Sequence, residues 1–352
     1  MVLIIRRIIS LFTAFLLLGQ CSAYGDDFAG NLSAQAAALM WNGQMIYAKN
    51  AGQKLPVAST TKLMTALVTA ECCALSEQVE IEASDCNVEG SSMYLSEGET
   101  LTVKELLKGL LLVSGNDAAL ALARHAGGGS VESFVAMMNE KASELSMTSS
   151  HFTNPHGLSD REHYSTAADM ALLMTACLAN TDVREIMSLK SCDVGGKTFA
   201  NHNRLLFSLK GCTGGKTGYT EAAGRCLVSS CRRDGAELVC VTLNAPDDWN
   251  DHIALYNTAF ARYSLRNVSD GMRFSVPVIG GSENTAYLVP EGKKEIFADR
   301  KSEVTVTAKL PWYLFAPLNK GETEGTALIS VDGKYAWEYP LVCMDGIEAK
   351  NS

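Results

Sequence analysis

Ala58-Ser59-Thr60-Thr61-Lys62-Leu63-Met64-Thr65-Ala66-Leu67-Val68 is the stretch on which the reading of this chain turns. It opens with residues that favour a helix start and continues with apolar residues at helical spacing, so Ser59 is expected at a helix N-terminus. Lys62 follows three positions later, which puts its amine on the same helix face and within reach of the Ser59 hydroxyl. A nucleophile and a base can meet in that arrangement. Taken alone the Ser-x-x-Lys pattern is a weak signal, since an N-cap serine followed by a solvated lysine would produce it too.

Outward from this stretch, residues 34–41 and 44–48 flank Asn42-Gly43, a two-residue turn that suits a tight antiparallel hairpin. Residues 102–113 and 117–125 read as helices interrupted at Ser114-Gly115-Asn116, and residues 131–145 and 166–178 as two more. Beyond Lys216 the pattern changes to strands at 224–232 and 237–244, separated by Asp234-Gly235, before helical periodicity returns over 248–263. Residues 24–263 are therefore expected to form an α+β domain, one mainly antiparallel sheet built from both ends of the segment with a helical block inserted. From residue 264 to 343 short alternating runs suggest a small all-β domain. Residues 344–352 read as a polar tail too short for an amphipathic membrane helix.

A length of 352 residues favours two domains. Arg6 and Arg7 precede the apolar run 8–18 and Cys21-Ser22-Ala23, the pattern of a signal peptide cleaved after Ala23, so the protein is expected outside the cytoplasm. The net charge of −9 comes without a long basic block, which excludes nucleic acid as an expected partner. An anionic substrate must then be drawn by a local cation. None of the eleven cysteines forms a Cys-x-x-Cys, and Cys72-Cys73 sits in a helix-like stretch, so small apolar core residues are the favoured reading. A pairing such as Cys226 with Cys240 stays open. His151, His156 and His163 do not have the spacing of a helical metal pair, which favours structural hydrogen bonding; no metal and no cofactor are expected.

Two further elements raise the weight of Ser59 and Lys62. Ser114-Gly115-Asn116 breaks two helices, and Lys216-Thr217-Gly218 opens a strand. With these three elements the chain resembles the penicillin-recognising serine peptidases, whose motifs are Ser-x-x-Lys, Ser-x-Asn and Lys-Thr-Gly. It is most similar to the low-molecular-weight D-alanyl-D-alanine carboxypeptidases. The likeness extends through Ser114-Gly115-Asn116-Asp117-Ala118-Ala119, Phe152-Thr153-Asn154-Pro155-His156-Gly157-Leu158, Ser165-Thr166-Ala167 and Gly215-Lys216-Thr217-Gly218-Tyr219-Thr220.

The resemblance implies a penicillin-binding/β-lactamase-like transpeptidase fold and a Ser59 acyl-enzyme formed at the terminal D-alanine of peptidoglycan stem peptides, with β-lactam antibiotics as covalent inhibitors. Lys62 would take the Ser59 proton, provided that burial and the second cation Lys216 lower its pKa. Ser114 would pass a proton toward the leaving amine. Asn116 would bind the substrate backbone, Lys216 and Thr217 its carboxylate, and Gly218 would leave the strand edge clear. Backbone N–H groups of Ser59 and Tyr219 would form the oxyanion hole. A β-lactamase, a DD-endopeptidase and a non-catalytic wall-peptide binder remain alternatives, though the middle motif is Ser-Gly-Asn rather than Ser-Asp-Asn and no Glu-x-x-Leu-Asn precedes Lys216. Membrane association stays open.

Overall fold

The computed structural model describes residues 28–350; the signal peptide expected at residues 1–23 lies outside the described residues. Spatial proximity divides the chain into two units, the first reaching to Arg233 and including Glu237–Thr258, the second comprising Asp234–Ala236 and Ala259–Ser352.

The first unit opens with β1 (Ala36–Trp41) and β2 (Gln44–Lys49), joined through Asn42 at φ 45° and Gly43 at φ 83°. Two successive left-handed residues match the right-handed twist of the flanking strands, which is why Asn-Gly is favoured there. After a 3-10 turn, Ala58–Thr61, comes α1 (Lys62–Cys72). The short pair β3 (Gln78–Glu80) and β4 (Thr100–Thr102) brackets α2 (Ala83–Cys86). Thr102 then caps α3 (Val103–Leu112): its hydroxyl accepts from the Glu105 amide, and the Glu105 carboxylate accepts from the Thr102 amide. Four more helices follow: α4 (Asn116–Ala126), α5 (Val131–Glu144), α6 (Ala167–Ala179) and α7 (Thr181–Ser188).

The hairpin β5 (Ser191–Val194) and β6 (Lys197–Ala200) and the short α8 (Leu205–Ser208) lead into β7 (Cys212–Thr220), β8 (Gly224–Arg233) and β9 (Ala236–Leu243), with α9 (Asp248–Arg262) last. The main sheet has the order β2-β1-β9-β8-β7, so strands from the two ends of the unit lie side by side and β7 forms one edge. β1 pairs antiparallel with both β2 and β9, and β7 antiparallel with β8.

Strand alternation assigns the two sheet faces. Ala36, Ala38, Val228, Val239 and Val241 share one core with Leu63, Met64 and Leu67 of α1, Leu106 and Leu110 of α3, and Ala118 and Leu122 of α4. Burying each larger side chain contributes roughly 1.5–3 kcal/mol. Neighbouring positions point the other way, where Ser229 and Thr242 bond the two ring nitrogens of His252 at 2.7 and 3.1 Å. Tyr256, also on α9, donates to the Ser229 carbonyl at 2.8 Å. The helical block and α9 thus cover opposite faces.

The second unit carries β10 (Tyr263–Asn267), β11 (Phe274–Ile279), β12 (Thr285–Pro290), β13 (Glu295–Asp299), β14 (Val304–Lys309), β15 (Leu314–Phe315), β16 (Thr323–Val331) and β17 (Lys334–Cys343). β10 pairs with β13, and the rest form a sheet in the order β14-β16-β17-β12-β11-β15. Residues 344–350, read from the sequence as a polar tail, are bound to this unit. Ile347 is buried among Val276, Leu314 and Leu318, and its amide and carbonyl both bond Leu318. One apolar side chain among polar neighbours is enough to anchor the segment, and composition alone hides it.

All ten described cysteines are free thiols, and Cys226 and Cys240 are both buried. The apolar packing role expected of cysteines holds for these two and for Cys177, Cys231 and Cys343.

The start of the described chain is fastened by one carboxylate. Asp251 on α9 accepts from the Ser33 amide, the Ser33 hydroxyl and the Ala34 amide at 3.0, 2.8 and 2.9 Å. Replacing Asp251 with Ala leaves these donors unpaired and should lower the unfolding free energy by about 1.5–3 kcal/mol in urea denaturation.

Candidate active site

Ser59 lies inside the 3-10 turn and is half-buried. It does not cap α1: the N-cap position is Thr61, whose side chain makes no cap bond, and α1 begins at Lys62. The difference from the sequence expectation has a physical reason. A 3-10 turn stacks residues i and i+3 directly above one another, so the Ser59 hydroxyl faces the Lys62 amine rather than a backbone amide.

Lys62 is completely buried, and its Nζ donates to three oxygens. These are Ser59 Oγ at 3.0 Å, Asn116 Oδ1 at 2.6 Å and the His156 carbonyl at 2.7 Å. Burial pushes its pKa well below the ordinary lysine value; the charge of Lys216 lowers it further, and Asp117 raises it. The three acceptors come from three separate segments, so the amine is the point where they are joined.

Asn116 begins α4 and is held on its other side as well, its Nδ2 donating to the Glu89 carbonyl at 2.5 Å and its amide to the Ser91 carbonyl. Ser114 is buried at φ 66°, a left-handed conformation that costs a non-glycine residue about 1–2 kcal/mol. Ala58, just before Ser59, is left-handed too at φ 47°. Asp117 was not read from the sequence as part of the site. Its buried carboxylate accepts from the Ser92 hydroxyl and the amides of Met93 and Leu95 at 2.5, 3.0 and 3.2 Å, fixing the segment that runs behind Asn116.

The segment 152–158 forms a further wall. Asn154 Oδ1 accepts from the Gly157 amide at 2.7 Å, and the Pro155 carbonyl accepts from Thr65 of α1 at 2.6 Å. The three histidines follow the hydrogen-bonding reading. His163 bonds Thr61 Oγ1 through Nε2 at 2.8 Å and accepts from the Thr153 amide at Nδ1, and His151 Nδ1 bonds the Glu162 carbonyl at 2.6 Å. The His156 ring accepts from the Leu158 amide. Burial lowers both His156 and His163 to about 4, so both rings are neutral near pH 7.

β7 closes the site. Lys216 is buried, donates to the Thr217 carbonyl at 2.8 Å, and has its pKa lowered by burial to about 7. A side chain on Gly218 would place its Cβ 3.0 Å from the amide nitrogens of both Ser59 and Thr60. The missing side chain therefore lets the strand press against the turn that carries Ser59, a tighter reason for glycine than the clear strand edge expected from the sequence. Thr217 is half-buried, and Tyr219, 66% exposed, stands at the rim. Arg225 is committed elsewhere, to Asp248, at 2.8 and 3.0 Å. His202 lies close enough to Lys216 for that charge to lower its pKa, although nothing in its sequence neighbourhood marks it.

The structure thus joins Ser59, Lys62 and Asn116 by direct hydrogen bonds, brings Lys216 into electrostatic range of Lys62, and lays Gly218 on the Ser59 turn. Chemically it offers a hydroxyl beside an amine with a depressed pKa, and a second buried cation on a sheet edge.

Comparison with known proteins places these features in a family. The family described as peptidase S11, D-alanyl-D-alanine carboxypeptidase, matches residues 26–247. The D-alanyl-D-alanine carboxypeptidase DacF of Bacillus subtilis is 31% identical over 87% of this chain and 83% of its own length. DacC of Escherichia coli, of the same description, is 32% identical over 96% of this chain and 90% of its own. Among solved structures, penicillin binding protein 5 from Haemophilus influenzae superposes with a TM-score of 0.80 at 28% identity, covering 90% of this chain and 98% of that one.

Gly157 offers a direct test of the geometry around the amine. It sits at φ 85°, and a Cβ there would lie 2.0 Å from the Ala58 carbonyl oxygen. Gly157→Ala should cost about 1–3 kcal/mol in chemical denaturation from backbone strain alone, and should displace the turn that carries Ser59.

Proposed function

The chain belongs to the D-alanyl-D-alanine carboxypeptidase family, and from that premise we propose the part that each residue of the site plays. It is a serine-type D-alanyl-D-alanine carboxypeptidase of the penicillin-binding type. Its substrate is the stem peptide of peptidoglycan, from which the last D-alanine is removed, and β-lactams acylate the same hydroxyl. The first unit supplies the catalytic domain and the second, which takes up the chain from Ala259 and includes the segment expected as a polar tail, the accompanying β domain. Such a substrate lies outside the cytoplasm, in keeping with the signal peptide read at residues 1–23. Among the described residues no helix is long and apolar enough to cross a membrane.

Ser59 Oγ attacks the carbonyl carbon between the two alanines, and Lys62 receives its proton. The observation that carries this assignment is the set of oxygens around Lys62 Nζ. A neutral amine has two N–H donors and one lone pair. Asn116 Oδ1 and the His156 carbonyl can only accept, so they take the two donors, and the lone pair is left facing Ser59 Oγ at 3.0 Å. Burial and the Lys216 charge depress the Lys62 pKa, which favours the neutral form that a base requires. Backbone N–H groups of Ser59 and Tyr219 receive the developing oxyanion. Ser114 conveys the proton to the departing amine, which leaves as D-alanine, and water then hydrolyses the ester on Ser59.

Lys216 plays the opposite part to Lys62. It must carry its proton to hold the terminal carboxylate, with Thr217 as a second donor. A substrate strand lying along the β7 edge would be lined up by Asn116 on one side and by the strand on the other.

Ser59→Ala should abolish both the penicillin adduct in intact-protein mass spectrometry and D-alanine release from a stem pentapeptide. Lys62→Met should slow acylation about 10²–10⁴-fold; acylation at the normal rate would remove Lys62 from the role of base. The pH profile of kcat/KM should be bell-shaped. On the alkaline side it declines as Lys216 loses its proton around its value of about 7, and on the acid side as Lys62 gains one. Lys216→Arg should move the alkaline limb upward, because a guanidinium keeps its charge.

A further inference from the structure

At the ends of α1 and α4 remote from Ser59, Cys73, Glu77 and His125 converge, with one Sγ, one carboxylate oxygen and one ring nitrogen all within 4.8 Å of one another. Glu77 Oε2 lies 3.0 Å from His125 Nε2, and Cys72 Sγ lies 3.6 Å from Cys73 Sγ. We propose that Cys73, Glu77 and His125 form a binding site for a zinc-like divalent cation, with Cys72 or water in the fourth position.

The donor set argues for this class of metal. Zinc takes sulfur, imidazole nitrogen and carboxylate oxygen together at about 2.0–2.3 Å, so ligand atoms around one ion stand roughly 3–4 Å apart. The observed spacing needs only side-chain adjustment to meet that figure. Calcium and magnesium select all-oxygen shells, which this cluster does not provide. A surface ion pair would need Glu77 and His125 alone; a thiol completing the triangle, with a second thiol beside it, goes beyond what an ion pair requires. The backbone also prepares the site. The second Glu77 oxygen accepts from the Ala74 amide at 2.6 Å, and the Cys73 amide closes α1 on the Thr69 carbonyl. Cys72 is exposed, and the three ligands are half-buried or exposed, so an ion can reach them.

The position gives the site a structural role. α1 starts with Lys62 and α4 with Asn116, the pair bonded at 2.6 Å, and each helix has eleven residues. Eleven residues span about 16 Å. The ion therefore fastens the two helices at the end opposite the catalytic contact, remote from the chemistry.

Titration of the reduced, metal-free full chain with Co²⁺ tests the site. One equivalent should produce a thiolate-to-cobalt charge-transfer band, and Zn²⁺ should displace it and raise the melting temperature. Cys73→Ser and His125→Gln should each weaken binding by at least roughly tenfold, as loss of a metal contact does, and remove the zinc-dependent melting shift. Both variants should still acylate with penicillin at the wild-type rate, which verifies that they are folded. Absence of the charge-transfer band in the wild type, variants that bind as tightly as the wild type, or a Cys72–Cys73 disulfide in the native purified chain would each overturn the proposal.

Discussion

An amine with no exposure to water, shared among a hydroxyl, an amide oxygen and a backbone carbonyl, is the constraint on which this protein is organised. Removing a polar group from water is expensive unless its hydrogen bonds are all met. The three oxygens around Lys62 meet them, and each has to be brought there by a different segment. That requirement accounts for much of the surrounding structure: the left-handed turn at Ala58, the left-handed break at Ser114, the doubly held Asn116, and a glycine at position 157 where any side chain would strike the Ala58 carbonyl. Each carries some strain or restricts the choice of residue. The well-packed core shared by α1, α3, α4 and the sheet holds these positions in place.

A second buried amine, Lys216, is the local cation that the proposed mechanism sets against the substrate carboxylate. Lys216 lies on the edge strand, where a peptide can pair with the backbone, and its charge helps to keep Lys62 neutral. In the proposed mechanism one lysine serves as a cation and the other as a base, although both are buried. Their environments differ in what faces the amine. Lys62 is enclosed by two fixed acceptors besides the serine, whereas Lys216 donates to the Thr217 carbonyl.

The long strands and helices were legible in the sequence because their signals are local. Asn42-Gly43 dictates its hairpin through left-handed φ angles, and apolar spacing marks α3, α4, α5 and α6. The short elements were not legible. β3, β4, β10 and β13 depend on partners distant in the chain, and runs of three to five residues hold too little pattern to announce a strand. Similarly, Asp117 and His202 gain their importance from what surrounds them, which no spacing rule encodes.

By itself the sequence determined which chemical groups were available and roughly in what order: a hydroxyl one turn before an amine, a helix break carrying serine and asparagine, and a lysine in a strand, which the structure places in the middle of β7 rather than at its start. Those features follow from residue type and short-range geometry. Only the tertiary structure decided that Ser59 sits in a 3-10 turn rather than capping a helix, that the third acceptor on Lys62 is a main-chain carbonyl, and that Gly218 exists to admit the turn against β7. A backbone carbonyl is the same in every residue, so its role depends on position alone, and position depends on packing between segments far apart in the chain.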